Sequence, residues 1–99
     1  MTIDEWRNEI NALDEDLLRL LNQRARLASR IGESKTASGL SLCDHTRERE
    51  VIERMCRANE GPLDDRAIVE LFRAVIHVHD RTTIQPAPVR QRVFDRKAV

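Results

Sequence analysis

From Thr2 to about Ser38 the chain runs without a proline and with a single glycine, Gly32. Its apolar residues there, Ile3, Trp6, Ile10, Leu13, Leu17, Leu20, Leu21, Leu27, Ala28 and Ile31, recur every three or four positions. That is the period of an α-helix. Two rows emerge at seven-residue spacing, positions 3, 10, 17, 24, 31 and positions 6, 13, 20, 27, forming a seam suited to packing against other helices. Thr2 or Asp4 can cap the start. A helix of about 35 residues is about 50 Å long. A compact globule of this chain's 99 residues has a radius of gyration of only about 13 Å. The rest of one chain cannot cover such a helix, so the pattern predicts a seam shared with a second copy, in an intertwined or side-by-side dimer. The alternative is a break near Gly32 or a bend in the middle.

The remaining residues punctuate clearly. Residues 38–43 (SGLSLC) read as a short loop. A second helix is predicted from Asp44 or Thr46 to Ala58, with Val51, Ile52 and Met55 as its apolar face and Asp44 as its N-cap. Asn59-Glu60-Gly61-Pro62 stops it. A third helix is predicted from near Asp64, carrying Ala67, Ile68, Leu71, Phe72, Val75, Ile76, His79 and Ile84, and ending before Pro86 and Pro88. The tail QPAPVRQRVFDRKAV has no strong period and reads as extended, docking if at all through Val93 and Phe94. There is no strand-like alternation and no internal repeat. The expected fold class is all-α: three helices per chain, one very long and N-terminal, in a homodimer. A helical domain is expected over residues 1–85 and a C-terminal tail over 86–99.

Composition excludes several function classes. Seventeen basic and seventeen acidic residues cancel, and a nucleic-acid-coating protein needs a basic excess to displace counterions. Three aromatics and no Tyr make a poor stacking platform for bases or sugars. Cys43 and Cys56 are too few for a disulfide scaffold and read as free thiols in a reducing cytosol. With three scattered histidines they offer no zinc-ligand spacing, so no metal site is expected. The acidic, amphipathic start MTIDEWRNEI is unlike a secretion signal, and no apolar run approaches the ~20 residues that span a bilayer. The expected location is the cytoplasm, with neither membrane nor nucleic acid as partner.

Charges fall where a core should be. Arg24 occupies a seam position among Leu17, Leu20, Leu21, Leu27 and Ile31. A guanidinium buried there costs several kcal/mol unless paired; an internal salt bridge or a side chain snorkelling to solvent would relieve that cost. Arg7 and Lys35 lie on one stripe of the same helix, beside the seam. Lys35 is ~16 Å along the axis from Arg24, within joint reach of one small molecule. Arg7 is ~25 Å away on the other side and cannot join that site within one straight helix. An antiparallel partner copy would bring its own Arg7 there. Each cation taken alone also reads as an ordinary solvated side chain. In Asp44-His45-Thr46-Arg47-Glu48-Arg49-Glu50, the residues Asp44, Arg47 and Glu48 share a helical face, which is either a self-paired charged first turn or part of a site. Together these features suggest a pocket rich in Arg and Lys, containing a carboxylate and suited to a small dianion bearing a hydroxyl. No nucleophile with an adjacent base stands out, and no phosphate loop or dinucleotide fingerprint is present. Chemistry in such a pocket rests on positioning and electrostatics.

Arg7-NEINALDEDLLRLLNQ-Arg24, then IGES-Lys35, then Asp44-HTRERE, and finally NEGPLDDRAIVELFRAVI resemble, in order and spacing, the all-helical chorismate mutase family. The resemblance covers residues 3 to about 84. It implies three helices in an intertwined dimer with active sites shared between protomers. It also implies a Claisen rearrangement of chorismate to prephenate that needs no cofactor or metal. By resemblance, Arg7 of one protomer and Arg24 of the other bind the substrate's carboxylates. Lys35 contacts a carboxylate and the ether oxygen, Arg47 contributes to carboxylate binding, Glu48 accepts from the ring hydroxyl, and Asp44 assists there through its backbone.

On the third helix the sequence departs from the family pattern. Where the family commonly has a small residue, often Ser, this chain has His79. Four residues on, where it commonly has Gln or Glu facing the ether oxygen, this chain has Thr83. Thr83 is expected to donate a shorter-reaching hydrogen bond, and His79 either to contact the substrate or to pack; His77 reads as a surface or interface residue. The departure keeps other readings open: a related isochorismate pyruvate-lyase or aminodeoxychorismate mutase, or a non-catalytic helical dimer. Some small members of the family work in complex with the first enzyme of the shikimate pathway, and the charged tail is a candidate for such docking.

Overall fold

A computed structural model describes residues 1–40 and 44–84. Three helices follow in order: α1 (Ile3–Ala37), α2 (His45–Ala58) and α3 (Asp65–Ile84). Each begins where a short polar side chain can satisfy backbone amides left without helical partners. Thr2 caps α1 by accepting from the Glu5 amide at 3.1 Å, and the Glu5 carboxylate accepts from the Thr2 amide at 2.9 Å, closing a capping box. Asp44 caps α2 through the Arg47 amide at 2.9 Å, and Asp64 caps α3 through the Ala67 amide at 2.8 Å.

The helix ends are equally local. α1 does not break at Gly32; it runs on to Ala37. There Gly39 takes the left-handed region, φ 75°, and the chain turns back on its last carbonyls. The Leu40 amide donates to the Lys35 carbonyl at 2.7 Å and the Gly39 amide to Thr36 at 3.1 Å, the two bonds of a Schellman motif. After α2, the Asn59 side chain accepts from the Gly61 amide at 3.0 Å and donates to the Leu63 carbonyl at 2.6 Å. Both halves of that short turn are thereby fixed. The end of the expected 38–43 loop, Cys43 with it, and the whole tail with Gln85, Pro86, Pro88, Val93 and Phe94 lie outside the described residues.

α3 packs against both α1 and α2, while those two make no comparable contact with each other. Val51, Ile52 and Ile68 form a small buried core, joined by His79. On α1 the inward face is the stripe Leu21, Ala25, Ala28, Gly32 and Lys35, half-buried or buried, at helical spacings of three and four. The heptad seam lies beside that stripe and is bare: Ile3, Trp6, Ile10, Leu13, Leu17, Leu20, Leu27 and Ile31 each remain more than half exposed. The molecule is a slab of 54 × 37 × 17 Å with a radius of gyration of 16.6 Å, well beyond the ~13 Å of a compact chain this long.

α3 holds the other two helices, so its start should matter to overall stability. Replacing Asp64 by Ala removes its cap and is expected to cost about 1 kcal/mol, read as a lower urea midpoint with an unchanged slope.

Candidate active site

Between the C-terminal half of α1 and the start of α2, floored by α3, lies a cavity of about 300 Å³. It forms because α3 spaces α1 and α2 apart rather than letting them close on each other. Its charged and polar walls are Arg24 and Lys35 from α1, Asp44, Arg47 and Glu48 from the start of α2, and Asp80 and Thr83 from α3. Leu27, Ile31, Val51 and Ile76 supply the apolar part. Six sequence-expected residues are thus brought to one cavity. Arg7 is not among its walls; it sits on the same straight helix as Arg24, about 25 Å away.

Arg24 is half-buried, and among the described residues no carboxylate lies within 4 Å of its guanidinium. Its partner is an imidazole: Arg24 Nη1 donates to His79 Nδ1 at 2.7 Å. Guanidinium nitrogens carry no acceptor, so Nδ1 is the unprotonated nitrogen of His79 and the ring is neutral, with its hydrogen on Nε2. His79 is buried behind Arg24, off the cavity wall. Desolvation, and after it the charge of Arg47, lower the proton affinity of Arg24, while Asp80 raises it. An arginine nonetheless stays charged throughout the physiological range. Two guanidinium groups therefore act on one another across the cavity.

The other groups are more loosely tied. Lys35 Nζ stands 3.8 Å from Asp44 Oδ2, a separation that leaves ammonium hydrogens free to serve a ligand. Asp44 is held below the usual carboxylate range first by its capping bond from the Arg47 amide and then, against some desolvation, by the Lys35 charge. The Glu48 carboxylate is only 18% exposed. His77 Nε2 lies 2.8 Å from its Oε1, Arg73 Nε 3.9 Å from the same oxygen, and His45 Nδ1 3.8 Å from Oε2. An ionised carboxylate accepts at about four lone-pair sites, so Glu48 keeps acceptor capacity toward the cavity. The Thr83 hydroxyl donates to the His79 carbonyl one turn back at 3.0 Å. Its proton is engaged there, and its lone pairs remain.

Sequence reasoning missed Asp80 and the contact of His77 with Glu48. The signal for Asp80 was available: Ile76, Asp80 and Thr83 follow at spacings of four and three, one face of α3. The His77 contact depends on how α2 crosses α3, which no spacing within one helix encodes.

Residues 6–80 match the family model for chorismate mutase type II. The chain belongs to the type II chorismate mutase family. Over 78 residues it is 42% identical to a bifunctional chorismate mutase/prephenate dehydratase of Aquifex aeolicus, covering 75% of this chain but 22% of that protein. Over 52 residues it is 44% identical to an intracellular chorismate mutase of Mycobacterium tuberculosis, covering 52% of this chain and 50% of that one. The chain therefore spans only about a fifth of the bifunctional relative and half of the intracellular one. Among solved structures, a chorismate mutase of Thermus thermophilus (form II) superposes with a TM-score of 0.83 at 30% identity, covering 87% of this chain and 98% of that chain. Its form I gives 0.76 at 34%, with 78% and 96% coverage. The three-helix, all-α architecture is thus that of the chorismate mutase family. Among the described residues no helix is long and apolar enough to cross a membrane.

In this cavity the charge of Arg47 acts against that of Arg24. Arg47→Gln is expected to leave the ligand-free thermal midpoint unchanged or raise it, by scanning fluorimetry; a cation with a structural role would lower it on removal.

Proposed function

We propose that the chain rearranges chorismate to prephenate, its cavity holding the substrate dianion by charge and geometry alone. The observation that carries this reading is the pair Arg24 and Arg47: two cations on one cavity, neither matched by a carboxylate of the described residues within ion-pair distance. Their mutual repulsion is relieved when an anion sits between them, so binding and relief coincide.

In the rearrangement a C–O bond breaks as a C–C bond forms within one molecule, and no group of the protein need gain or lose a proton. The ether oxygen gathers negative charge as its bond lengthens. A cation already in place there stabilises the transition state more than the ground state. Lys35 has that role in this reading, its ammonium entering the cavity from α1. Arg24 and Arg47 take the carboxylates and hold the side chain folded over the ring, which supplies the orientational part of the acceleration. Glu48, an acceptor only when ionised, accepts from the ring hydroxyl. Asp44 steadies Lys35 and the start of α2. Thr83 lies at the ether-oxygen end, where its hydroxyl must turn away from the His79 carbonyl before it can donate.

A third carboxylate-binding arginine, Arg7, comes in this reading from the partner subunit. The bare seam supports it. The first eighteen residues of α1 are exposed throughout, and helices in proteins take most of their stability from packing an apolar face. A second copy laid antiparallel along the seam would cover Trp6, Leu13 and Leu17 and carry the partner subunit's Arg7 toward the cavity.

Lys35→Ala is expected to lower turnover a hundredfold or more, about 3 kcal/mol of transition-state stabilisation, in an assay following chorismate loss by ultraviolet absorbance. Unchanged turnover would remove Lys35 from the reaction. Product analysis in the same assay separates prephenate from the products of a lyase or an aminodeoxychorismate mutase, and no chorismate loss at high protein would favour a binding module. Light scattering is expected to give the mass of two chains, and Leu13→Glu in the seam to give monomers with activity near background.

A further inference from the structure

Arg24 projects from α1 toward a cavity walled by all three helices, and it is mounted on α3 through His79. The histidine is 6% exposed, and its only described hydrogen-bond partner through the ring is the Arg24 guanidinium at 2.7 Å. A long cationic side chain has many rotamers and loses up to ~2 kcal/mol of freedom when fixed. A bond to a buried, backbone-rigid ring fixes it without neutralising its charge. A carboxylate in the place of His79 would also hold Arg24, but it would cancel the charge that the cavity presents. A neutral acceptor does the first without the second.

From this geometry we infer that His79 is a positioning residue: its unprotonated Nδ1 holds the Arg24 guanidinium on the cavity wall as a full cation, and acid withdraws that hold. The inference rests on the reading that Arg24 binds a carboxylate of the substrate. Protonating the ring would remove the accepting lone pair and set one cation 2.7 Å from another. The charged groups around the pair are Arg24 from α1, Arg47 from α2, which bears on Arg24 across the cavity, and Asp80, next to His79 on α3. Burial, then Arg24, disfavour the protonated ring, and Asp80 favours it, leaving His79 below the ordinary histidine value of 6.5. The sign follows: the contribution of the pair is complete above that ordinary value, and it is lost as pH falls through the lowered one.

Two measurements on the full chain test this. Nitrogen-detected NMR without substrate is expected to show His79 as the neutral Nε2–H tautomer, and Arg24→Leu to raise its titration midpoint. An Nδ1–H tautomer, or a midpoint indifferent to Arg24→Leu, would overturn the inference. In steady-state kinetics with chorismate, His79→Leu is expected to raise KM about tenfold or more, as for loss of a hydrogen bond to a charged group, with a smaller change in kcat. His79→Asn, which places an amide oxygen where Nδ1 was, is expected to recover most of that KM. It should also lack whatever part of the acid-side fall in kcat/KM belongs to His79. An unchanged KM in His79→Leu, or the same acid limb in His79→Asn, would overturn it. Should the wild-type chain not act on chorismate, the substrate reading fails, and the NMR measurement still decides whether His79 holds Arg24.

Discussion

A guanidinium held between helices, with no carboxylate of the described residues within ion-pair distance, is the constraint around which this fold is arranged. Arg24 is half-buried, so leaving it unpaired carries a desolvation cost. The structure meets that cost partway, with one hydrogen bond to a neutral ring, and leaves the charge intact. Everything near it respects the same condition. Arg47 arrives on the next helix and repels it, Asp80 attracts it from the side, and α3 keeps α1 and α2 apart so that a ligand-sized volume persists between them. A protein optimised only for stability would have placed a leucine at position 24, as the neighbouring seam positions do.

The helical frame was legible because its signals are local. Thr2, Asp44 and Asp64 are short polar residues ahead of periodic apolar runs, and each caps a helix. Asn59 and Gly61 stop α2 where their side chain and backbone freedom permit. Arg24, Lys35, Asp44, Arg47, Glu48 and Thr83, singled out by spacing or by the family resemblance, line one cavity. What sequence did not disclose are relations between helices. Whether His79 would face a substrate or a neighbour depended on the rotation of α3 against α1, and the answer is that it backs Arg24. His77 read as a surface or interface residue and is exposed, but its contact with Glu48 depends on how α2 crosses α3. Gly32 read as a possible break, yet α1 passes through it and buries it against the cavity.

The two histidines of α3 show how one side chain type serves opposite needs two residues apart. His77 points its Nε2 hydrogen at a carboxylate and is more than half exposed; His79 turns its Nδ1 lone pair to a cation and is buried. α3 thus places a donor behind the carboxylate of Glu48 and an acceptor behind the guanidinium of Arg24, each on a rigid element.

The Schellman stop at Gly39 has a consequence for how this chain can vary. The carbonyl that receives the Leu40 amide belongs to Lys35, the same residue whose ammonium enters the cavity. The end of the helix and the aim of its lysine are one joint. Adding or deleting a single residue between Arg24 and Lys35 would swing the ammonium by about 100° around the axis and shift it by about 1.5 Å, out of register with Asp44. The eleven-step interval between those two cations is therefore a ruler, and lineages of this fold can be expected to change almost any stretch of α1 in composition before they change that one in length.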